Sequence, residues 1–345
     1  MQLPFLNRSL EIARIQKALQ RTRTSLVVLY GRRRCGKSRL LVEASADLEC
    51  VYFVGDDRHQ TLQRRALAVE IGRALPGFAE VEYPDWETLF RQWWHRSRPG
   101  SVLILDEFPS MVARAPEIPS LLQKCIDDPR HGAHHLIVAG SSQRMMMGLA
   151  LDSHAPLYGR AREILEIGPL DPPWILKALA IQEPEQALDP FSVWGGVPRY
   201  WELAREYGST TEALRELILD PLGVLHREPE RLLLDDMRDV VQAFSVLSLV
   251  GVGCHRISEL GSRLGRQTTS LSRPLERLIE LGLVDRVPPF GTPDRGSGRS
   301  EYRISDPFLR FWFRFVEPNR SRLQARQIDA VWTEVRQEMK GPERG

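Results

Sequence analysis

Apolar residues follow two different periods along this chain. Four short runs are apolar at nearly every position: 25–30 (SLVVLY), 50–54 (CVYFV), 101–105 (SVLIL) and 136–139 (LIVA). Short unbroken runs of this kind predict strands buried on both faces, as in a parallel sheet. A fifth strand-like run, 163–167, ends at Gly168-Pro169-Leu170. Helical spacing lies between these runs. Ile12, Ile15, Ala18 and Leu19 form one apolar stripe, with Ser9 as its expected cap. Further helices are predicted over 39–48, over 62–75 up to Pro76-Gly77, over 86–97 with Trp93-Trp94 as core packing, and over 143–149. Alternating strands and helices predict an α/β fold with a five-stranded parallel sheet.

The pattern changes beyond residue 170. From 171 to 235 helices alternate with breakers, Pro172-Pro173 and Gly195-Gly196-Val197-Pro198, which predicts an all-helical lid packed on the sheet domain. Three helical stretches follow (240–250, 255–264 and 267–281). Next come a short apolar run at 282–287, a loop rich in Gly, Pro, Ser and Arg at 288–300, and a second short run at 302–304. Three helices and a hairpin with a basic tip predict a winged helix. The run FLRFWFRFV at 308–316 reads as a buried helix whose Arg310 and Arg314 face outward or pair with acids. The expected division is a sheet domain over 1–170, a lid over 171–235, a winged-helix domain over 236–318, and a polar helical tail over 319–345 ending in a disordered GPERG.

Composition narrows the function classes. The 47 basic and 45 acidic residues leave a net charge of +2, so any case for nucleic acid rests on local patches. The four cysteines, Cys35, Cys50, Cys125 and Cys254, show no CxxC spacing, which disfavours a zinc site and a disulfide framework. A reducing cytoplasm is the expected compartment. No apolar run is long enough for a bilayer, and the first residues lack a signal-peptide layout. His131, His134 and His135 read as a loop before a strand, because no ligand set accompanies them.

The densest chemical signal is Gly31-Arg32-Arg33-Arg34-Cys35-Gly36-Lys37-Ser38, between a predicted strand and a helix that opens at Arg39. This is the phosphate-loop pattern in its required strand–loop–helix context. Loop N–H groups and the positive helix end form an anion site, and the two glycines let phosphate approach the backbone. Lys37 is expected on the β- and γ-phosphates and Ser38 on Mg²⁺. Cys35 reads as a space-filler. Asp106-Glu107 closes the third apolar run, at the sheet edge where ligands bind in open α/β folds. Asp106 is expected to hold Mg²⁺ directly or through water, and Glu107 to act as general base. Ser141 follows the next strand, where a hydroxyl serves either as a γ-phosphate or water sensor or as a helix cap. Arg160 is a candidate arginine finger.

In the winged-helix segment, Thr269, Arg273 and Arg277 on the third helix and Arg295 on the wing are candidate DNA contacts. Glu276 and Glu280 lie on the same helix, so double-stranded DNA binding and a protein-docking or packing role both stand as readings.

These pieces together resemble a prokaryotic, mainly archaeal, ATPase family of the AAA-like and signal-transducing (STAND-type) P-loop group. The resemblance runs through Phe5-Leu6-Asn7-Arg8 with Glu11, the phosphate loop, Leu103-Ile104-Leu105-Asp106-Glu107-Phe108 and Gly140-Ser141-Ser142. It continues through Pro156-Leu157-Tyr158-Gly159-Arg160, residues 195–200 and the segment Tyr302 to Phe313, and spans about 3–318. It implies an AAA/ASCE-like sheet, ATP rather than GTP, a place for Arg8 near the nucleotide, and a sensor or finger role for Arg160. Asn7 stands where the family usually has glycine. Many relatives also carry a restriction-endonuclease-like domain, and its nuclease activity is not expected of these residues. The expected function is Mg²⁺-dependent ATP hydrolysis coupled to conformational change. The alternative is a slow nucleotide-gated switch whose output is DNA, a protein partner or self-assembly.

Overall fold

The structure is a computed structural model that describes residues 3–128, 132–237, 239–288 and 300–339. Its contacts divide the chain into two compact units. One is Asn7–Gly168; the other contains the residues from Pro169 onward together with those before Asn7.

The first unit is a five-stranded parallel sheet, β1 (Ser25–Tyr30), β2 (Cys50–Val54), β3 (Val102–Asp106), β4 (His135–Gly140) and β5 (Ala161–Glu166), in the order β2-β3-β4-β1-β5. Each predicted apolar run is one strand. β3 and β4 are buried at every position and β1 at all but its last. The edge strands β2 and β5 alternate in burial, as strands with one solvated side do. Because β4 lies between β1 and β3, the segments after those three strands meet at one carboxyl edge. Helices α1 (Ser9–Leu19), α2 (Lys37–Ala44), α3 (Gln60–Ala74), α4 (Trp86–Arg96), α5 (Phe108–Arg114), α6 (Ile118–Asp127) and the short α7 (Gln143–Met146) complete the unit. A π-helical turn, Met147–Leu151, follows α7 where one helix over 143–149 was expected. Trp93 and Trp94 are buried core residues in a T-shaped pair at 4.8 Å. His134 packs edge-on against Trp93, and His135 is the first residue of β4 rather than part of a loop. The cap of α1 is Arg8, not Ser9, which is the first helical residue.

Residues 171–235 do not form a unit of their own. Helices α8 (Pro173–Leu179), α9 (Leu188–Trp194), α10 (Pro198–Ala204), α11 (Thr210–Leu214) and α12 (Glu228–Asp236) belong with the C-terminal elements. Those are α13 (Val240–Gly251), α14 (Ile257–Leu264), α15 (Thr268–Glu280), the antiparallel pair β6 (Val284–Val287) and β7 (Glu301–Ile304), α16 (Pro307–Phe311), α17 (Arg320–Gln324) and α18 (Ile328–Met339). The aromatic run makes the junction. Phe308 packs on Tyr200 at 4.7 Å, and Trp312 Nε1 donates to the His226 carbonyl at 2.8 Å. A helix that brings five bulky aromatics needs apolar partners, and the expected lid supplies them. The expected boundary at 235/236 therefore runs through a shared core.

The expected polar tail is packed as well. Leu323, Val331 and Val335 are buried, Arg326 pairs with Asp220 at 2.8 Å, and Arg322 pairs with Glu334 at 2.7 Å. Arg314 pairs with Glu338 at 2.9 Å, while Arg310 is exposed. The residues 341–345 lie outside those described. Among the described residues no helix is long and apolar enough to cross a membrane.

Candidate nucleotide-binding site

β1 ends at Tyr30 and the chain turns through the loop 31–36 into α2. Gly31 has φ +138°, and a Cβ there would stand 2.2 Å from the Ile167 carbonyl oxygen, so only glycine fits. Arg34 and Gly36 have φ +68° and +88°. Left-handed positions within a loop turn successive N–H groups toward one concave face, which is the geometry of an anion nest. The N-terminal turn of α2 adds N–H groups without intrahelical acceptors. Within the loop Arg32 and Cys35 are buried, Arg34 is half-buried and Arg33 is exposed, while Arg39 on α2 is half-buried.

Lys37 folds back over this loop. Its Nζ donates to the carbonyls of Gly31 at 2.7 Å and Arg32 at 3.0 Å. Burial pushes its pKa below the usual lysine range. Cys35, Glu107 and Asp106 oppose that shift by favouring the charged form, and Arg33 adds to it.

Ser38 Oγ donates to Asp106 Oδ2 at 2.6 Å, which joins the first turn of α2 to the end of β3. Asp106 is 2% exposed, and its Oδ1 accepts the Glu107 N–H at 2.9 Å. Glu107 takes φ +50°, a left-handed conformation uncommon outside glycine, asparagine and aspartate. Its Oε1 accepts from Ser141 Oγ at 2.5 Å. Of the roles weighed for the Gly-Ser-Ser segment, the helix cap falls on Ser142 rather than Ser141. Ser142 caps α7 by accepting from the Met145 N–H at 3.3 Å, which leaves Ser141 to hold Glu107.

Tyr52 is a member of this cluster that sequence reasoning missed. Its hydroxyl also donates to Asp106 Oδ2, at 2.6 Å. Burial, and then the Asp106 charge, hold the phenol protonated far above its ordinary range. The available signal was a phenol hydroxyl within an otherwise apolar run, and the structure sets Tyr52 apart from the buried Val51 and Phe53 on either side. Tyr30, at the end of β1, is likewise held protonated by burial and by Glu166.

Arg8 reaches the same sheet edge. It donates to the Gly168 carbonyl, just past β5, and to Glu11 Oε1 at 3.0 Å. Asn7 and Arg8 take φ +59° and +71°. Asparagine is among the non-glycine residues that adopt this conformation most readily, which accounts for Asn7 at a glycine position.

Arg160 does not join the cluster. It precedes β5 at the opposite, amino-terminal edge of the sheet, roughly 15 Å along the strands from the loop at about 3.3 Å per residue. Its guanidinium is paired with Asp127 at 2.7 Å and donates to the Pro156 and Tyr158 carbonyls at 3.0 and 3.1 Å. Its guanidinium does not reach the phosphate loop in this structure.

The oxygen donors Ser38 and Asp106 fit a hard divalent cation such as Mg²⁺. Among the described residues no group of three or more His, Cys, Asp and Glu side chains could hold a metal by protein ligands alone.

The candidate DNA contacts divide. Thr269 and Arg273 are exposed on α15. Arg277 is less available: its side chain is 19% exposed and donates to Glu280 at 2.8 Å. Arg295 lies outside the described residues. Exposed Arg263 and Arg266, at the α14–α15 turn, extend the basic surface beyond the predicted set.

Comparison with known proteins gives the family of the chain and the likeness of its fold. The family described as an ATPase domain predominantly from Archaea matches residues 5–199, more than half of the chain. An uncharacterised protein of Methanocaldococcus jannaschii is 27% identical over 325 residues, covering 93% of this chain and 70% of that protein. The Walker-type ATPase of Pyrococcus abyssi superposes with a TM-score of 0.66 at 16% identity, over 90% of this chain and 96% of that one. The ORC2 protein of Aeropyrum pernix, solved in ADPNP–ADP complexes, gives 0.58 at 14% identity, over 97% and 96%. Those two likenesses establish a shared fold. With the phosphate loop, Asp106 and Glu107 assembled at one sheet edge, the chain belongs to this archaeal-type ATPase family and is an ATPase.

Proposed function

We propose that this protein binds Mg·ATP at the 31–38 loop and hydrolyses it to ADP and phosphate, with Glu107 as general base. The observation that carries this reading is a continuous hydrogen-bonded chain from Ser38 through Asp106 and Glu107 to Ser141. Lys37 leaves its two loop carbonyls for the β- and γ-phosphates, an exchange its buried ammonium favours because phosphate carries full negative charge. Ser38 and Asp106 hold Mg²⁺, which when bound neutralises developing charge on the phosphate oxygens. Glu107 takes a proton from the attacking water as the new O–P bond forms and the β–γ bridging P–O bond breaks, releasing ADP. Ser141 fixes one oxygen of Glu107, leaving Oε2 without a hydrogen-bond partner among the described residues. The test is phosphate release beside nucleotide affinity for wild type and Glu107→Gln. Retained affinity with lost turnover supports the assignment, and unchanged turnover overturns it.

Arg160 acts, on this reading, across an interface between copies of the chain, because its sheet edge faces away from its own phosphate loop. Its pairing with Asp127 holds it ready at that surface.

The second reading is a nucleotide-gated switch whose output is duplex DNA. We read 240–304 as a winged helix, with α15 as the element that enters the major groove. The exposed arginines Arg263, Arg266 and Arg273 beside Thr269 favour it. The discriminating measurement is DNA affinity against salt in the ATP-bound and ADP-bound protein. Salt-dependent binding in one nucleotide state supports the switch, and none in either leaves a docking role.

A further inference from the structure

We propose that Tyr52 is a positioning residue of the metal site, setting the orientation in which Asp106 and Ser38 receive Mg²⁺. The inference rests on the Mg·ATP reading above.

Asp106 is almost fully buried, and a carboxylate taken out of water needs donors. Two hydroxyls, from Ser38 and Tyr52, converge on the same oxygen, Oδ2, each at 2.6 Å. The Glu107 N–H occupies Oδ1. An ionised carboxylate offers about four acceptor sites, so these three bonds leave one, and the carboxylate cannot rotate without breaking at least two of them. The Ser38 proton is committed to Asp106, which turns the lone pairs of its oxygen outward toward a cation. Tyr52 maintains that commitment. It comes from a different strand, β2, whose Val54 lies in register with Asp106, so the phenol braces the carboxylate from the neighbouring strand.

Outer-shell partners of metal ligands change metal affinity by roughly 10–100-fold when removed. A tyrosine that merely satisfied a buried carboxylate would affect stability and leave the metal dependence alone. The test is binding of a fluorescent ATP analogue, first in EDTA and then with Mg²⁺ titrated in, for wild type, Tyr52→Phe and Asp106→Asn. The expected result is an unchanged metal-free affinity for Tyr52→Phe and a Mg²⁺ midpoint raised about tenfold or more. A midpoint equal to or below wild type, while Asp106→Asn raises it, overturns the Tyr52 proposal alone. Nucleotide binding that ignores Mg²⁺ in the wild type overturns the underlying reading with it. Should Tyr52→Phe not fold, Tyr52→Met fills the same space without a hydroxyl and carries the same expectations.

Discussion

Ser141 Oγ donates to Glu107 Oε1 at 2.5 Å, joining the end of β4 to the left-handed residue after β3. A hydrogen bond to a charged group contributes about 1.5–3 kcal/mol, so removing this one matters if the Glu107 orientation is catalytic. Ser141→Ala is expected to lower kcat about tenfold or more, with little change in KM. Ser142→Ala, which removes the α7 cap, should reduce stability by about 1 kcal/mol and leave kcat near wild type. Equal effects of the two variants on kcat would contradict the division of roles.

Arg160→Ala should reduce turnover by roughly 10³–10⁵, the range of arginine fingers, only under conditions where copies associate. The clearest check is complementation. Lys37→Ala supplies an intact Arg160, and Arg160→Ala supplies an intact phosphate loop, so mixing the two inactive proteins should restore activity. Failure of every mixture to exceed its parents would count against an inter-chain role.

On the DNA-binding reading, Arg273→Ala should flatten the dependence of log affinity on log salt by about one unit per lost phosphate contact. Arg277→Ala should leave that slope unchanged, because its guanidinium is turned to Glu280. A larger slope change for Arg277 than for Arg273 would reverse the assignment of faces.

Acid should destabilise the protein through two buried histidines. Burial lowers the pKa of His135, with the neighbouring His134 adding to the shift. Burial likewise lowers that of His226, with the Ile218 carbonyl opposing it. The unfolded chain then binds more protons than the folded one below the ordinary value of 6.5. Stability is therefore full above pH 6.5 and falls as pH drops toward the folded-state values. His135→Leu, which also removes a buried Nδ1 without a partner, should shrink the acid-induced fall in Tm by a few degrees. An unchanged acid limb would show that His135 does not contribute.

Much of the first unit was legible because its chemistry is local in sequence. The apolar runs gave β1, β3 and β4, and the residues after those runs supplied Lys37, Ser38, Asp106, Glu107 and Ser141. What was hidden is what depends on neighbours in space. Tyr52 enters the site only because β2 pairs with β3 in register. Arg160 leaves it because the residue before β5 lies at the wrong edge, which strand order and direction decide. Residues 171–235 looked separate because breakers interrupt their helices, whereas the aromatic run over 308–316 supplies their core from far along the chain. Arg277 looked exposed from its charge, yet its side chain is only 19% exposed and bonded to Glu280.

The most direct test of the central claim is steady-state phosphate release from Mg·ATP by wild type, Lys37→Ala and Glu107→Gln, with ATP affinity measured on the same preparations. The account predicts measurable wild-type turnover, loss of both binding and turnover in Lys37→Ala, and ATP bound but turned over about 10²–10⁴-fold more slowly in Glu107→Gln. Wild-type turnover that survives in Glu107→Gln would contradict it.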